Sequence, residues 1–331
     1  MKQGNISFFI PHNGCPHQCS FCNQRSITGQ SSQPTAAEVA QTLQGALRDL
    51  GDCSKNYEIA FFGGSFTAID RDYMMSLLNA AKPFINEFKG IRISTRPDCI
   101  DKNVLEILRA YGVTSIELGA QSMDNSVLEL NKRGHTAEDV YFASALIREF
   151  EFSLGLQMMT GLYGSSEQQD IYTARCFVAI KPDTVRIYPT VIMKGTDLAA
   201  YFLSGEYQPR SLEQNVSLCS RLILLFERAG IAVIRLGLHY SDSLKENSLG
   251  GNYHPAFKEL CENEIFFDSF MEKSKLFDTK HLNVFINEKS LSKFVGQKKS
   301  NLKKLEGLGY DLRIHFDNTL NKYGLEVSKC D

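Results

Sequence analysis

The stretch CPHQCSFCNQ, Cys15–Gln24, places cysteines at 15, 19 and 22 with an aromatic, Phe21, between the last two. Spacings of three and two residues on one short loop let the sulfurs of Cys15, Cys19 and Cys22 converge on one metal centre. One reading is structural zinc, which takes four closed ligands, with His12, His17 or Cys53 as the fourth. Zinc cysteines usually come as two separated pairs, however, and no second C-x2-C pair follows. The other reading is a [4Fe-4S] cluster, normally held by four cysteines. With three, one iron lacks a protein ligand, and an open position on a metal signals chemistry rather than scaffolding.

Bulk properties narrow the setting. A chain of 331 residues, 43% hydrophobic and 22% charged, has an ordinary globular composition. That length suits one large α/β domain of about 200–250 residues plus a small appendage. The net charge of −2 excludes a basic nucleic-acid coat, so any such patch must be local. No signal sequence is visible, since the apolar run Ile6–Pro11 is too short and lacks a basic flank. Nothing approaches the roughly 18 consecutive apolar residues of a membrane span. Nine cysteines, six of them scattered singly, make a poor disulfide framework and a normal reducing-compartment pattern. A cytoplasmic protein is expected.

Outward from the cysteine loop the pattern alternates strand and helix. Strand-length apolar runs fall at 6–10, 59–62, 91–94, 115–118, 152–159, 184–188 and 231–236. Helical spacing fills 35–50, 70–88, 101–111, 136–149, 166–180 and 212–229, several with a cap residue at the start and a glycine just past the end. Repeated βα units imply a parallel sheet. Counting alone allows a curved partial (β/α) barrel or a full eight-fold barrel, both with ligands at the C-terminal ends of the strands. The segment 241–253, polar and glycine-rich, reads as a loop. A change of rhythm then places a boundary between a domain of residues 1–254 and a small α+β domain of residues 255–331.

C-x3-C-x-aromatic-C resembles the signature of the radical S-adenosylmethionine superfamily. The glycine pair in FFGGSFTA (Phe61–Ala68) sits where members carry a turn that the ligand approaches closely, which glycine permits. ISTRPD (Ile93–Asp98), ELGAQS (Glu117–Ser122), LNKRGHT (Leu130–Thr136) and VRIYPTVIMKGTDL (Val185–Leu198) together resemble the radical domain of the Elongator catalytic subunit and its prokaryotic relatives, over roughly residues 5–260. The resemblance implies a partial-barrel fold, and S-adenosylmethionine on the open iron. It also implies a low-potential electron donor and generation of a 5′-deoxyadenosyl radical, the hard step being the cofactor's.

Residue by residue, the resemblance implies cofactor contacts for Phe21, Gly63, Gly64 and Ser65. Gln121 and Arg133 match positions contacting the ribose and carboxylate, an apt task for an arginine fork. Gln157 stands where relatives often have a ribose-binding carboxylate; an amide still hydrogen-bonds hydroxyls. Ser94 departs from the pattern, because relatives commonly carry glutamate there. Met158 and Met159 read as core. Tyr188, Lys194, Arg235 and His239 are candidates to face substrate. No acetyl-CoA-like glycine turn follows the radical domain, so the acetyltransferase chemistry of the Elongator subunit is not expected.

Between Lys273 and Lys304 nine lysines face only Asp278 and Glu288. A strand at 281–286, short helices at 290–295 and from 301, and strands at 311–316 and 324–327 give an order that resembles a KH domain. The GXXG loop of such domains clamps single-stranded nucleic acid. Here the loop is Gly296, Gln297, Lys298 and Lys299, with lysine at the second glycine position and Lys293, Lys303 and Lys304 as charged neighbours. Two function classes follow. One is a radical enzyme modifying RNA (tRNA or rRNA), with a small molecule or peptide as the variant substrate. The other is an RNA-binding or assembly factor with a structural or redox-sensing cluster.

Overall fold

The computed structural model describes residues 4–10, 15, 17–23, 32–238, 241–251 and 253–330, and each of the seven expected strands is present. They are β1 (Gly4–Ile10), β2 (Tyr57–Gly63), β3 (Gly90–Thr95), β4 (Val113–Gln121), β5 (Ser153–Thr160), β6 (Thr184–Pro189) and β8 (Ala232–Leu236), with a short β7 (Val191–Met193) between the last two. Their order is β1-β2-β3-β4-β5-β6-β8, and neighbours run parallel throughout. Among the described residues nothing joins β1 to β8. The sheet is a partial barrel.

Side-chain alternation along the strands explains how this sheet makes a site. Ile91, Ile93, Ile116, Leu118, Leu154, Leu156, Val185 and Ile187 are fully buried and form the apolar set. The intervening residues, one step along each strand, point to the opposite face. They include Arg92 and Ser94, Glu117 and Gly119, Gln157 and Met159, Arg186 and Tyr188. That face is polar and carries two ion pairs, Arg92–Glu58 at 2.9 Å and Arg186–Glu117 at 2.5 Å. Met158 is fully buried, but Met159 belongs to the polar side, which corrects its reading as core.

The crossover helices start where cap chemistry says they should. Thr35, Thr136 and Ser166 form reciprocal capping boxes with Glu38, Asp139 and Gln169, and Asp70 and Asp101 cap the helices that follow them. The helix expected over 70–88 stops at Ala81 and tightens into a 3-10 turn, Lys82–Phe84, because Pro83 cannot continue the helix. The expected loop at 241–253 instead holds a helix, Asp242–Asn247, and β9 (Ser248–Gly251), antiparallel to β7. Its glycines hid it. Gly251 has φ +87°, and a Cβ there would lie 2.6 Å from Thr190 O, so only glycine fits this pairing.

Two compact units emerge: residues 1–210 with 225–253, and residues 211–224 with 254–331. The second contains a helix absent from the sequence reading, Phe257–Ser274, whose Phe257, Phe266 and Phe270 are buried. It packs with a three-stranded sheet of order β11-β10-β12: β10 (His281–Ile286), β11 (Asp311–Phe316) and β12 (Leu325–Lys329). β10 is parallel to β11 and antiparallel to β12. Short helices Leu291–Val295 and Ser300–Gly307 flank the lysine loop.

Candidate functional site

At the C-terminal ends of β2 to β6 lies a cavity of about 820 Å³. Cys15, Cys19, Phe21, Cys22, Gly63, Gly64, Ser94, Gln121, Arg133, Gln157 and Tyr188 all line it, together with Thr95, Arg96, Glu117 and Met159. Chain positions 15 to 188 thus meet on one wall because parallel strands all end on the same side. Among the described residues no three thiol, imidazole or carboxylate groups are drawn together tightly enough to grip an ion. The three thiols share the cavity without a closed cage.

The cysteine loop is held from behind. Ser20 N–H donates to Asn131 O at 3.1 Å and Ser20 Oγ to Asn131 Oδ1 at 2.8 Å. Asn131 is fully buried and its Nδ2 donates to the carbonyls of Val127 and Tyr163. Leu198 N–H donates to Ser20 O, and Asn23 Nδ2 to Lys194 O. Phe21 packs against the cluster of Ile192, Leu198, Ala199 and Tyr207. One buried amide and one aromatic therefore anchor the described part of the loop, residues 17–23.

The glycine turn is equally constrained. Gly63 has φ +124°, and a Cβ there would stand 2.3 Å from Ile10 O. Gly64 N–H donates to that same carbonyl. Beneath the turn, Ser65 is fully buried and bonded to Thr95 Oγ1 at 2.7 Å, so it supports the site from outside the cavity wall. Gln121 adopts φ 68°, a left-handed conformation, at a register shift between β4 and β5. Strain of this kind collects where a side chain must be aimed. Its Oε1 accepts from Gln157 Nε2 at 3.2 Å, placing the two amides side by side.

Ser94, the departure from the family pattern, donates to Glu117 Oε1 at 3.3 Å. The two residues are register partners on β3 and β4. A carboxylate is thus present at this point after all, one strand over, and it is paired with Arg186. Glu117 Oε2 and Arg186 Nε face each other in that pair, whereas Arg96 Nη1 and Arg133 Nε have no hydrogen-bond partner among the described residues. Sequence reasoning passed over Glu117 and Arg186. The available signal was a single charged residue in each of two otherwise uncharged parallel strands.

Charge around the thiols is predominantly positive. Burial, and then the neighbouring Cys19, push the Cys15 thiol up, while Arg96, Arg133 and a hydrogen bond from the Ser65 backbone pull it down. Burial with the Arg133 and Arg96 charges holds His135 at about 3, a neutral ring bonded to Ala120 O. Burial raises Tyr188 against the opposing pull of Arg186.

Other expected residues lie elsewhere. Lys194 Nζ donates to Glu246 O, and Arg235 Nε to Gly237 O; neither residue lines the cavity. His239 and His12 fall outside the described residues. As fourth zinc ligands, Cys53 is exposed in the turn before β2, at the opposite end of that strand from the cavity, and His17 is exposed with its ring over Gly134. Cys99 is half-buried beside Ser65 and Arg96.

Three thiols, a glycine turn and an amide–arginine wall thus meet at the strand ends of a parallel half-barrel. The sequence profile of the Radical SAM superfamily matches residues 9–175, and that of the Radical_SAM C-terminal domain residues 182–266. The chain belongs to the radical SAM superfamily, whose cofactors are a [4Fe-4S] cluster and S-adenosylmethionine. It is similar to the tRNA uridine(34) acetyltransferase of Dehalococcoides mccartyi, 29% identical over 59% of this chain and 50% of that protein. It also resembles Elongator complex protein 3 of Homo sapiens, 30% identical over 67% of this chain and 46% of that one. The chain thus spans about half the length of the curated relatives it matches. In fold it is similar to the archaeal Methanocaldococcus infernus Elp3 with an N-terminal deletion, with a TM-score of 0.62 at 21% identity, covering 84% of this chain and 65% of that one. Among the described residues no helix is long and apolar enough to cross a membrane.

The residues present fit these cofactors. Three thiols, a turn with no room for a Cβ, and buried Arg96 and Arg133 nitrogens without hydrogen-bond partners among the described residues suit a metal cluster beside a ligand with amino, carboxylate and hydroxyl groups.

Proposed function

We propose that the protein is a radical S-adenosylmethionine enzyme that modifies RNA, with tRNA the favoured substrate. The observation that carries this reading is the convergence of Cys15, Cys19 and Cys22 with Gly63, Gly64, Gln121 and Arg133 on one cavity at the strand ends. In it, Cys15, Cys19 and Cys22 would hold the cluster. When bound, the cofactors would supply one-electron sulfonium cleavage and the hydrogen abstraction that it enables. The chain's own residues position and shield. Gly63 and Gly64 let backbone approach the amino acid end of the cofactor, Arg133 meets its carboxylate, and Gln121 and Gln157 present amides to the ribose. Glu117, with Ser94 donating to it, takes the place of the strand-end glutamate. Tyr188 faces substrate from β6.

The RNA half of the proposal rests on the second unit, which we read as a KH-like domain that delivers substrate. Lys299 stands at the second glycine position of the loop and keeps the conformation glycine would give, with φ 61°, while Lys298 has φ 53° and Gly296 φ 80°. Non-glycine residues held there cost of order 1–3 kcal/mol each, and such strain gathers at ligand clamps. Of the lysine cluster, Lys293 pairs with Glu262 at 3.8 Å and Lys304 lies over the Phe267 ring. Lys298, Lys299 and Lys303 are exposed and make no ion pair among the described residues. Lys275 and Lys289 are likewise exposed without an ion pair among the described residues, and the loop with the first turn after it holds three such lysines close together in sequence. That relatives are named for tRNA uridine(34) and for Elongator supports tRNA over other RNA. Mass spectrometry of tRNA nucleosides from cells with and without the gene tests the proposal. One modified nucleoside should disappear and return on complementation, and identical nucleoside profiles would remove RNA as the substrate.

A further inference from the structure

Two arginines are buried beside the thiols, and they are balanced differently. Arg96 grips Asp98 with both Nε and Nη2 at 2.9 Å. Arg133, only 6% exposed, is in no ion pair with a carboxylate among the described residues. Its Nη1 donates to Cys19 Sγ at 3.1 Å and its Nη2 to Gly119 O at 2.5 Å. Arg96 Nη2 donates to the Arg133 carbonyl, which fixes the backbone beneath that fork. Removing a guanidinium from water costs several kcal/mol unless an anion faces it. The sulfur of Cys19 is the group that Arg133 reaches.

We propose that Arg133 sets the reduction potential of the metal site through its hydrogen bond to Cys19 Sγ, holding that potential higher than three bare thiolates would give. The inference rests on the reading that Cys15, Cys19 and Cys22 bind the cluster. A hydrogen bond and a fixed positive charge draw electron density from a ligating sulfur, which favours the state carrying one more electron; hydrogen bonds to sulfur and local charge are among the levers that set such potentials. This role differs from gripping the cofactor's carboxylate. Nη1 is committed to sulfur, whereas Nε has no partner among the described residues and is available to the carboxylate. One side chain thus couples the ease of electron entry to the cofactor seat.

The test is a redox titration followed by electron paramagnetic resonance, on reconstituted full-length protein without S-adenosylmethionine. Wild type, Arg133→Gln and Arg133→Lys are compared, with iron content and cofactor affinity measured in parallel. Arg133→Gln should keep its iron and shift the one-electron equilibrium toward the oxidised form by about tenfold, 59 mV more negative. Arg133→Lys, which keeps charge but loses the fork, should shift less. An unchanged potential in iron-replete Arg133→Gln overturns the proposal, even if cofactor affinity falls. Loss of iron from both variants also overturns it, by making the residue structural. A wild type that takes up no iron would sink the cluster reading itself, and this inference with it.

Discussion

Replacing any one of Cys15, Cys19 or Cys22 with alanine strips the protein of iron, while wild type reconstituted anaerobically holds about four irons per chain. Each thiol supplies a ligand that the amides, arginines, tyrosine and Arg186-paired glutamate of the cavity wall cannot replace, and His17, which also lines the cavity, is exposed with its ring over Gly134. Cys53, Cys176, Cys219, Cys261 and Cys330 serve as controls and should leave the iron in place. Cys176, Cys219 and Cys261 are buried away from the cavity, Cys53 lies at the opposite end of β2, and Cys330 bonds Asn283 in the second unit. Cys99 is the most informative control because it sits close by, held by Ser65 and Arg96. Iron analysis of the six single controls against the three ligand variants decides the matter. Full iron in any of the three would remove that residue from the metal site.

The second large effect is on RNA. Reversing both loop charges, Lys298→Asp with Lys299→Asp, should weaken binding of single-stranded RNA by at least about a hundredfold, each charged contact contributing about 1.5–3 kcal/mol. The iron content should not change, because the loop is exposed and lies in the other unit. With Lys298, Lys299 and Lys303 each meeting one phosphate, wild-type binding should fall with a slope of about −2 in log affinity against log salt, at roughly 0.7 per phosphate on a single strand. Lys293, counted as a helper from the sequence, is paired with Glu262 and should not steepen that slope. Fluorescence anisotropy at several salt concentrations measures both quantities. Unchanged affinity in the double variant would leave the lysines as a solvated face with no ligand.

The sequence revealed the frame and hid the pairings. Seven strands were legible because each is an apolar run bounded by caps and turns, and the cavity-lining motifs were legible because they follow those runs directly. The partial barrel, rather than eight strands, depended on closure, which no local pattern encodes. β7 and β9 escaped notice because their pairing is written in glycines and a three-residue strand. The helix Phe257–Ser274 was missed because only Phe266 and Phe270 of its buried phenylalanines keep helical spacing and acidic residues interrupt the apolar pattern. Glu117 and Arg186 were visible as letters but not as a pair, since register alone brings them to 2.5 Å. The lysine count was plain from the sequence; which lysines stay free is a tertiary fact. Asn131 shows the same limit. An ordinary asparagine within a motif becomes the clamp of the cysteine loop only once Ser20, 111 residues away in sequence, meets it.

The central claim is that this cavity cleaves S-adenosylmethionine by one-electron reduction, and the direct measurement is 5′-deoxyadenosine. Reconstituted protein, reduced with dithionite and given S-adenosylmethionine under anaerobic conditions, is followed by liquid chromatography and mass spectrometry, with and without tRNA. Release of 5′-deoxyadenosine is expected, slow alone and faster with substrate, and absent in the Cys15, Cys19 and Cys22 variants. A protein with a full, reducible cluster that yields no 5′-deoxyadenosine with or without tRNA would contradict the account.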